Sequence, residues 1–133
     1  MHRVRFTSFF MLGAVWSLGC APELPPPAPA ANITGTITLD SKPIPTGEIH
    51  FGTPGVPPSV LQITNGTFAG AAPVGNNKVE VYIYVEGPKS EKYGGSPTKT
   101  NVAPEKYWGA QTTLEANVKA GGTDEFKFEL TSK

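Results

Sequence analysis

The sequence predicts an all-β domain, an antiparallel β-sandwich, and three observations predict it. From Ile33 onward apolar residues recur at every second position, the period of a strand with one buried face. β-branched and aromatic side chains dominate these runs. Gly, Pro and Asn-Gly punctuate them at short intervals, and no stretch carries a helical repeat of useful length.

The strands follow in order. Ile33, Gly35, Ile37 and Leu39 alternate with threonines and Asp40. The stretch Ser41–Gly47, with Pro43 and Pro45, breaks the chain before Ile49 and Phe51, which alternate with Glu48 and His50. Leu61 and Ile63 form the next run. Asn65-Gly66 then predicts a tight hairpin into Thr67-Phe68, because a type I′ turn needs positive φ at both central residues. Val79, Val81, Ile83 and Val85 point one way, with Lys78, Glu80, Tyr82, Tyr84 and Glu86 on the other face. Leu114, Ala116 and Val118 form a further strand, and Gly121-Gly122 separates it from Phe126, Phe128 and Leu130. Gly87–Val102 breaks the rhythm. It is polar, holds Pro88, Gly94, Gly95 and Pro97, and reads as a long loop, either flexible or ordered for binding.

The front of the chain has a different character. His2, Arg3 and Arg5 precede Phe6–Leu18, an apolar run of 13 residues. A spanning helix needs about 20, so the layout is that of an export signal rather than a permanent transmembrane anchor. Cys20, the one cysteine, stands at the break, and the Pro-rich run APELPPPAPAA follows it over Ala21–Ala31. Ser17-Leu18-Gly19-Cys20 resembles the lipobox of bacterial lipoproteins, with Leu18 one place later than is usual there. The resemblance implies a diacylglycerol on the Cys20 thiol, cleavage before it, and a membrane attachment through the acylated N-terminus. Ala21, where an Asp would favour inner-membrane retention, resembles outer-membrane sorting. The competing reading is an ordinary secreted chain. The expected organisation is therefore a signal over 1–19, a lipidated Cys20 and stalk over 20–31, and one domain over 32–133. Proline holds the stalk extended at ~3.1 Å per residue.

Charge and composition exclude several classes. Loss of Arg3 and Arg5 with the leader leaves nine lysines against 11 acids, a net charge of −2. No arginine remains, so a nucleic-acid partner is not expected. No disulfide is available, and stability must come from an apolar core.

Three stretches together resemble the carboxypeptidase regulatory-like domains. Ile33-Thr-Gly-Thr-Ile through Pro45, then Gly47-Glu-Ile-His-Phe, is similar to that family's opening. Asn65-Gly-Thr-Phe and Ala72-Pro-Val-Gly through Ile83 resemble its hairpin and following strand, with Asn77 where an aromatic is common. Val102-Ala-Pro-Glu-Lys-Tyr-Trp-Gly, Thr112–Gly121 and Phe126-Lys-Phe-Glu-Leu resemble the C-terminal pattern of small lipoproteins abundant in planctomycete bacteria. The resemblance implies a Greek-key-like sandwich of about seven strands, transthyretin-like, lipid-anchored in the cell envelope and probing the periplasm from the outer membrane.

The chemistry-bearing residues are sparse. His50 is the one histidine after the leader, so a zinc site with its usual four ligands is not expected, and no metal or cofactor is implied. A Ser-His-Asp arrangement using His50 with Asp40 or Asp124 lacks a Gly-x-Ser-x-Gly elbow. Paired carboxylates for glycoside hydrolysis have no cleft signal. The expectation is a protein that is not an enzyme. Aromatics supply the binding candidates: Tyr82 and Tyr84 on an outward face, Tyr93, Tyr107 and Trp108 in or beside the irregular segment. The expected role is a structural or protein-interaction module with an envelope-protein or glycan partner, or else a small-ligand or carbohydrate-binding module: a sugar, a peptide or a partner strand stacks on these aromatics, or the irregular segment with Tyr107 and Trp108 folds over Tyr82 and Tyr84 and covers them.

Overall fold

Alternation sets the buried face of almost every strand in the computed structural model, which describes residues 27–133. The expected signal over 1–19, the lipidation site Cys20 and most of the stalk lie outside the described residues. Strand β1 (Ala30–Leu39) turns Ile33, Gly35 and Ile37 inward and its threonines outward. It starts two residues before the expected domain boundary at 32, and Ala31 is already buried.

Eight further strands follow: β2 (Lys42–Pro43), β3 (Thr46–Gly52), β4 (Ser59–Thr64), β5 (Thr67–Pro73), β6 (Gly75–Lys89), β7 (Pro97–Asn101), β8 (Leu114–Val118) and β9 (Thr123–Leu130). The only helical pieces among the described residues are three single 3₁₀ turns, at Glu91–Tyr93, Glu105–Tyr107 and Gly109–Gln111. No helix there is long and apolar enough to cross a membrane.

The strands join in the order β2-β1-β5-β4-β3-β6-β7, with β8 added to β6 and β9 to β1. The sheet curls so that its two arms face each other. Phe51 of β3 meets Phe68 of β5 at 6.0 Å and Phe126 of β9 at 6.2 Å between ring centroids. Ile33, Ile37, Ile49, Ile63, Val79, Val81 and Leu130 fill the space between the arms.

Two tight turns carry the hairpins. Asn65 and Gly66 have φ of 49° and 74°, as a type I′ turn requires. Gly66 is also crowded, since a Cβ there would press on Pro43 and on the Ile37 carbonyl. Asp40 and Ser41, with φ of 49° and 64°, make a second such turn and create the short strand β2.

Three expectations are corrected, whereas the strand count agrees: among the described residues seven strands follow the hydrogen-bonded path, with β8 and β9 beside it. One pairing among the described strands is parallel, β9 alongside β1, because Gly121-Gly122 carries the chain across to the other arm instead of folding β9 back on β8. Half of Gly87–Val102 is strand: β6 continues to Lys89, and β7 returns along it from Pro97. A register shift between Glu86 and Lys89 accommodates Gly87-Pro88. This hairpin projects past the core, which explains its polarity, and Val85, expected to face inward, is 45% exposed.

Asn77 is buried among apolar neighbours at 1% exposure. Its Nδ2 donates to the carbonyls of Pro73 (2.7 Å) and Gly75 (2.9 Å), and its Oδ1 accepts from Thr53 Oγ1 (2.9 Å). The amide ties the β5–β6 junction to the loop after β3, a task an aromatic ring would not perform.

Candidate functional site

The outward faces of β3 and β6 form one surface. Antiparallel pairing sets Glu48 opposite Tyr82, His50 opposite Glu80 and Gly52 opposite Lys78. Residues far apart in the chain thereby meet, with directly opposed Cβ atoms about 4.5–5.5 Å apart.

The aromatics stack along this face. The His50 ring lies 4.7 Å from that of Tyr82, Tyr84 follows at 6.5 Å with its plane within 15° of Tyr82, and Trp108 leans on Tyr82 at 6.2 Å. Trp108 Nε1 donates to the Ala103 carbonyl at 3.0 Å, which sets the indole at the edge of the ledge. Tyr82, Tyr84 and Trp108 are half-buried.

Acids tie the ledge down. Tyr82 donates its hydroxyl to Glu80 Oε2 at 2.7 Å. Burial, followed by that bond and the Glu80 charge, pushes the Tyr82 phenol up to about 12. Glu48 gathers three neighbours, all at long range: His50 Nε2 at 3.3 Å, Gln62 Nε2 at 3.4 Å and the Tyr84 hydroxyl at 3.5 Å. Burial raises the Glu48 carboxyl, but the bonds from His50, Gln62 and Tyr84 outweigh it and hold the group below its ordinary value of 4.5. A carboxyl lowered on folding stabilises the folded state above its unfolded pKa and loses that contribution as pH falls through the lowered folded value. The expected result is a urea midpoint for wild type that declines below about pH 4.5, by an amount worth under about 1 kcal/mol at this half-exposed site. Glu48→Gln flattens that part of the decline; equal acid slopes for the two proteins would contradict it.

Two cavities lie on the same face. The larger, of about 270 Å³, is lined by His50, Gly52, Pro54, Pro58, Lys78 and Glu80, with Thr53 beside them. The smaller, of about 180 Å³, is lined by Glu48, Gln62, Tyr84, Glu86 and Lys99, near Thr46 and Gly47.

Of the five aromatic candidates, the structure brings together Tyr82, Tyr84 and Trp108. Tyr107 is buried elsewhere, its hydroxyl accepting from the Thr131 amide at 3.0 Å. Tyr93 belongs to the 3₁₀ turn at the far end of the β6–β7 hairpin, and its side chain is outside the described set. Part of the chain after β7 does reach the ledge: Trp108 packs on Tyr82 and the Gly109 amide donates to the Tyr82 hydroxyl, while Tyr107 turns away to Thr131. Sequence reading did not single out Glu48, Glu80 or Gly52. Their outward alternation was visible, but their neighbourhood depends on the β3–β6 register.

The arrangement is poor in reactive groups. Asp40 accepts from the Ser132 amide at 3.0 Å and Asp124 from the Lys119 amide at 2.6 Å, so neither carboxylate pairs with His50. Thr53, the hydroxyl of the larger cavity, donates to Asn77. No group of three or more His, Cys, Asp or Glu is placed to hold a metal among the described residues. The face can offer stacking surfaces, carboxylate acceptors and two lysine donors.

No protein-family model, curated protein or solved structure matches the chain.

Proposed function

We propose that this chain is a non-enzymatic, lipid-anchored interaction module of the bacterial cell envelope. The observation that carries the reading is the ledge of Tyr82, Tyr84 and Trp108 on one outward sheet face, held by Glu48 and Glu80, with no nucleophile aligned on His50 among the described residues. Such a face recognises; it has no poised group to transfer. In the finer reading, β1, β5 and β9 form one layer of a Greek-key, transthyretin-like sandwich, and β3, β4, β6 and β8 form the other. The sequence resemblance to carboxypeptidase regulatory-like domains favours that assignment.

The anchor is Cys20, at the head of the Pro-rich stalk, and the membrane is the outer one, facing the periplasm. Each buried acyl CH₂ contributes about 0.8 kcal/mol, and two or three chains make attachment lasting where one does not. In a bacterial host fed an alkyne fatty acid, the wild-type chain is expected in the membrane fraction, labelled, with Cys20 at its mature N-terminus by mass spectrometry. Cys20→Ser is expected to be unlabelled and to leave that fraction. A wild-type chain that is soluble and unlabelled overturns the anchoring.

A further inference from the structure

Gly52 ends the outward row of β3, which runs Glu48, His50, Gly52. Its φ is not in the left-handed region, so the backbone does not call for glycine. Nor does crowding: a Cβ there would lie 3.8 Å from the Lys78 carbonyl oxygen and 3.9 Å from Pro58 Cβ, ordinary contact distances. As the last residue of the strand it carries no Cβ over this face, which leaves the backbone open to the close approach of a ligand. Gly52 lines the 270 Å³ cavity beside His50, Lys78 and Glu80.

We propose that the outer face of β3 and β6 binds a neutral, linear oligosaccharide, with one sugar ring in the Gly52 cavity and the next rings laid over Tyr82 and Tyr84 towards the smaller cavity. The inference rests on the interaction-module reading and names its ligand class. The larger cavity falls just below the usual range of about 300–1,000 Å³ for drug-sized ligands, which suits a single ring. A pyranose has apolar C–H faces and a girdle of hydroxyls. Pro54, Pro58 and the Tyr84 ring offer surfaces for the first, and Glu80, Lys78 and Gln62 offer partners for the second.

Two acceptors are available. Tyr82 engages one oxygen of Glu80, leaving the other to a ligand. Glu48 holds its three neighbours at 3.3–3.5 Å, at or beyond the long end of ordinary hydrogen bonds, so a ligand hydroxyl can take a better place on it. From Gly52 to Glu48 the row spans about 13 Å at ~3.3 Å per residue, longer than one ring. The near-parallel Tyr82 and Tyr84 rings repeat along β6, and a repeating surface suits a repeating ligand.

Charge selects within the class. Glu48, Glu80 and Glu86 outnumber Lys78 and Lys99 around the two cavities. No arginine occurs beyond Arg5, so the bidentate fork that clamps carboxylate or phosphate is missing. Uronates and phosphorylated glycans are disfavoured.

The test uses the full chain in detergent, titrated calorimetrically with cellohexaose, laminarihexaose, maltohexaose, hexagalacturonate and a glucosamine hexamer. At least one neutral hexaose is expected to bind with Kd below about 1 mM. Gly52→Val is expected to weaken it about tenfold or more while leaving the urea midpoint unchanged or raised, since valine suits a strand. Tyr84→Ala, at the other end of the ledge, weakens it independently should Gly52→Val lower the midpoint. Binding of none of the neutral sugars, tighter binding of either charged one, or no loss in both variants overturns the inference. Chromatography of the same mixtures separates the two readings: an intact, unbound hexaose sinks the glycan inference alone, whereas a cleaved hexaose sinks the non-enzymatic module.

Discussion

Phe51→Ala is expected to cost about 3–5 kcal/mol, the range for a buried aromatic cut back to a methyl. Phe51, carried by β3, is fully buried and meets the opposite arm through Phe68 of β5 and Phe126 of β9. Its removal takes away the transfer free energy of the ring, two aromatic contacts, and the filling between the arms. A domain of this size has about 5–15 kcal/mol in total. The urea midpoint is therefore expected to fall by on the order of 2 M. His50→Ala, one residue away but pointing outward, serves as the control and is expected to cost under about 1 kcal/mol. A Phe51→Ala loss no larger than that of the control would show that the arms do not pack as described.

Asn77→Ala is expected to cost about 2–3 kcal/mol, because two backbone carbonyls inside the fold lose their donor. Thr53, half-buried, loses an acceptor too, but can turn to water. Asn77→Asp is nearly isosteric and is expected to be worse at pH 7, by about 3–5 kcal/mol, since it sets an ionised oxygen against those carbonyls. The sign of its pH dependence follows. Burial and the facing carbonyls raise the introduced carboxyl above its ordinary value of about 3.9. Its penalty relative to wild type is full above the raised folded value and shrinks as pH falls towards the unfolded one. Urea midpoints of the two proteins at pH 7 and pH 4 check this. A gap that widens on acidification would mean that the amide does not serve as the donor described.

The positions of Asn77 and Val85 show where sequence reading stops. An asparagine in a strand of valines looks like a turn residue or a defect. Its value depends on the carbonyls of Pro73 and Gly75 and the hydroxyl of Thr53 arriving around it, which only the folded junction decides. Val85 continues a faultless alternation, yet it is exposed because the strand has by then run past the opposite arm. Alternation reports which face a residue occupies. Whether another layer covers that face is a separate matter. The polar, Gly- and Pro-containing run after Val85 likewise reads as loop, although it pairs as a hairpin with a register shift.

The candidate site was half legible for the same reason. Tyr82 and Tyr84 could be placed side by side on one outward face from their spacing alone. Trp108 joins them and Tyr107 leaves them through the course of the 3₁₀ turns, for which a single sequence carries little signal.

By itself, the order of amino acids determined the class of fold, the buried residues of most strands and the Asn65-Gly66 turn, because pleat and turn preferences act between near neighbours. The partners of those strands were settled by the core. The parallel seat of β9 beside β1, the opposition of β3 to β6, and thus the gathering of Glu48, His50, Glu80 and Tyr82 all follow from how two apolar faces close on Phe51. Burial of that shared surface is a sum over distant residues, and no local pattern contains it.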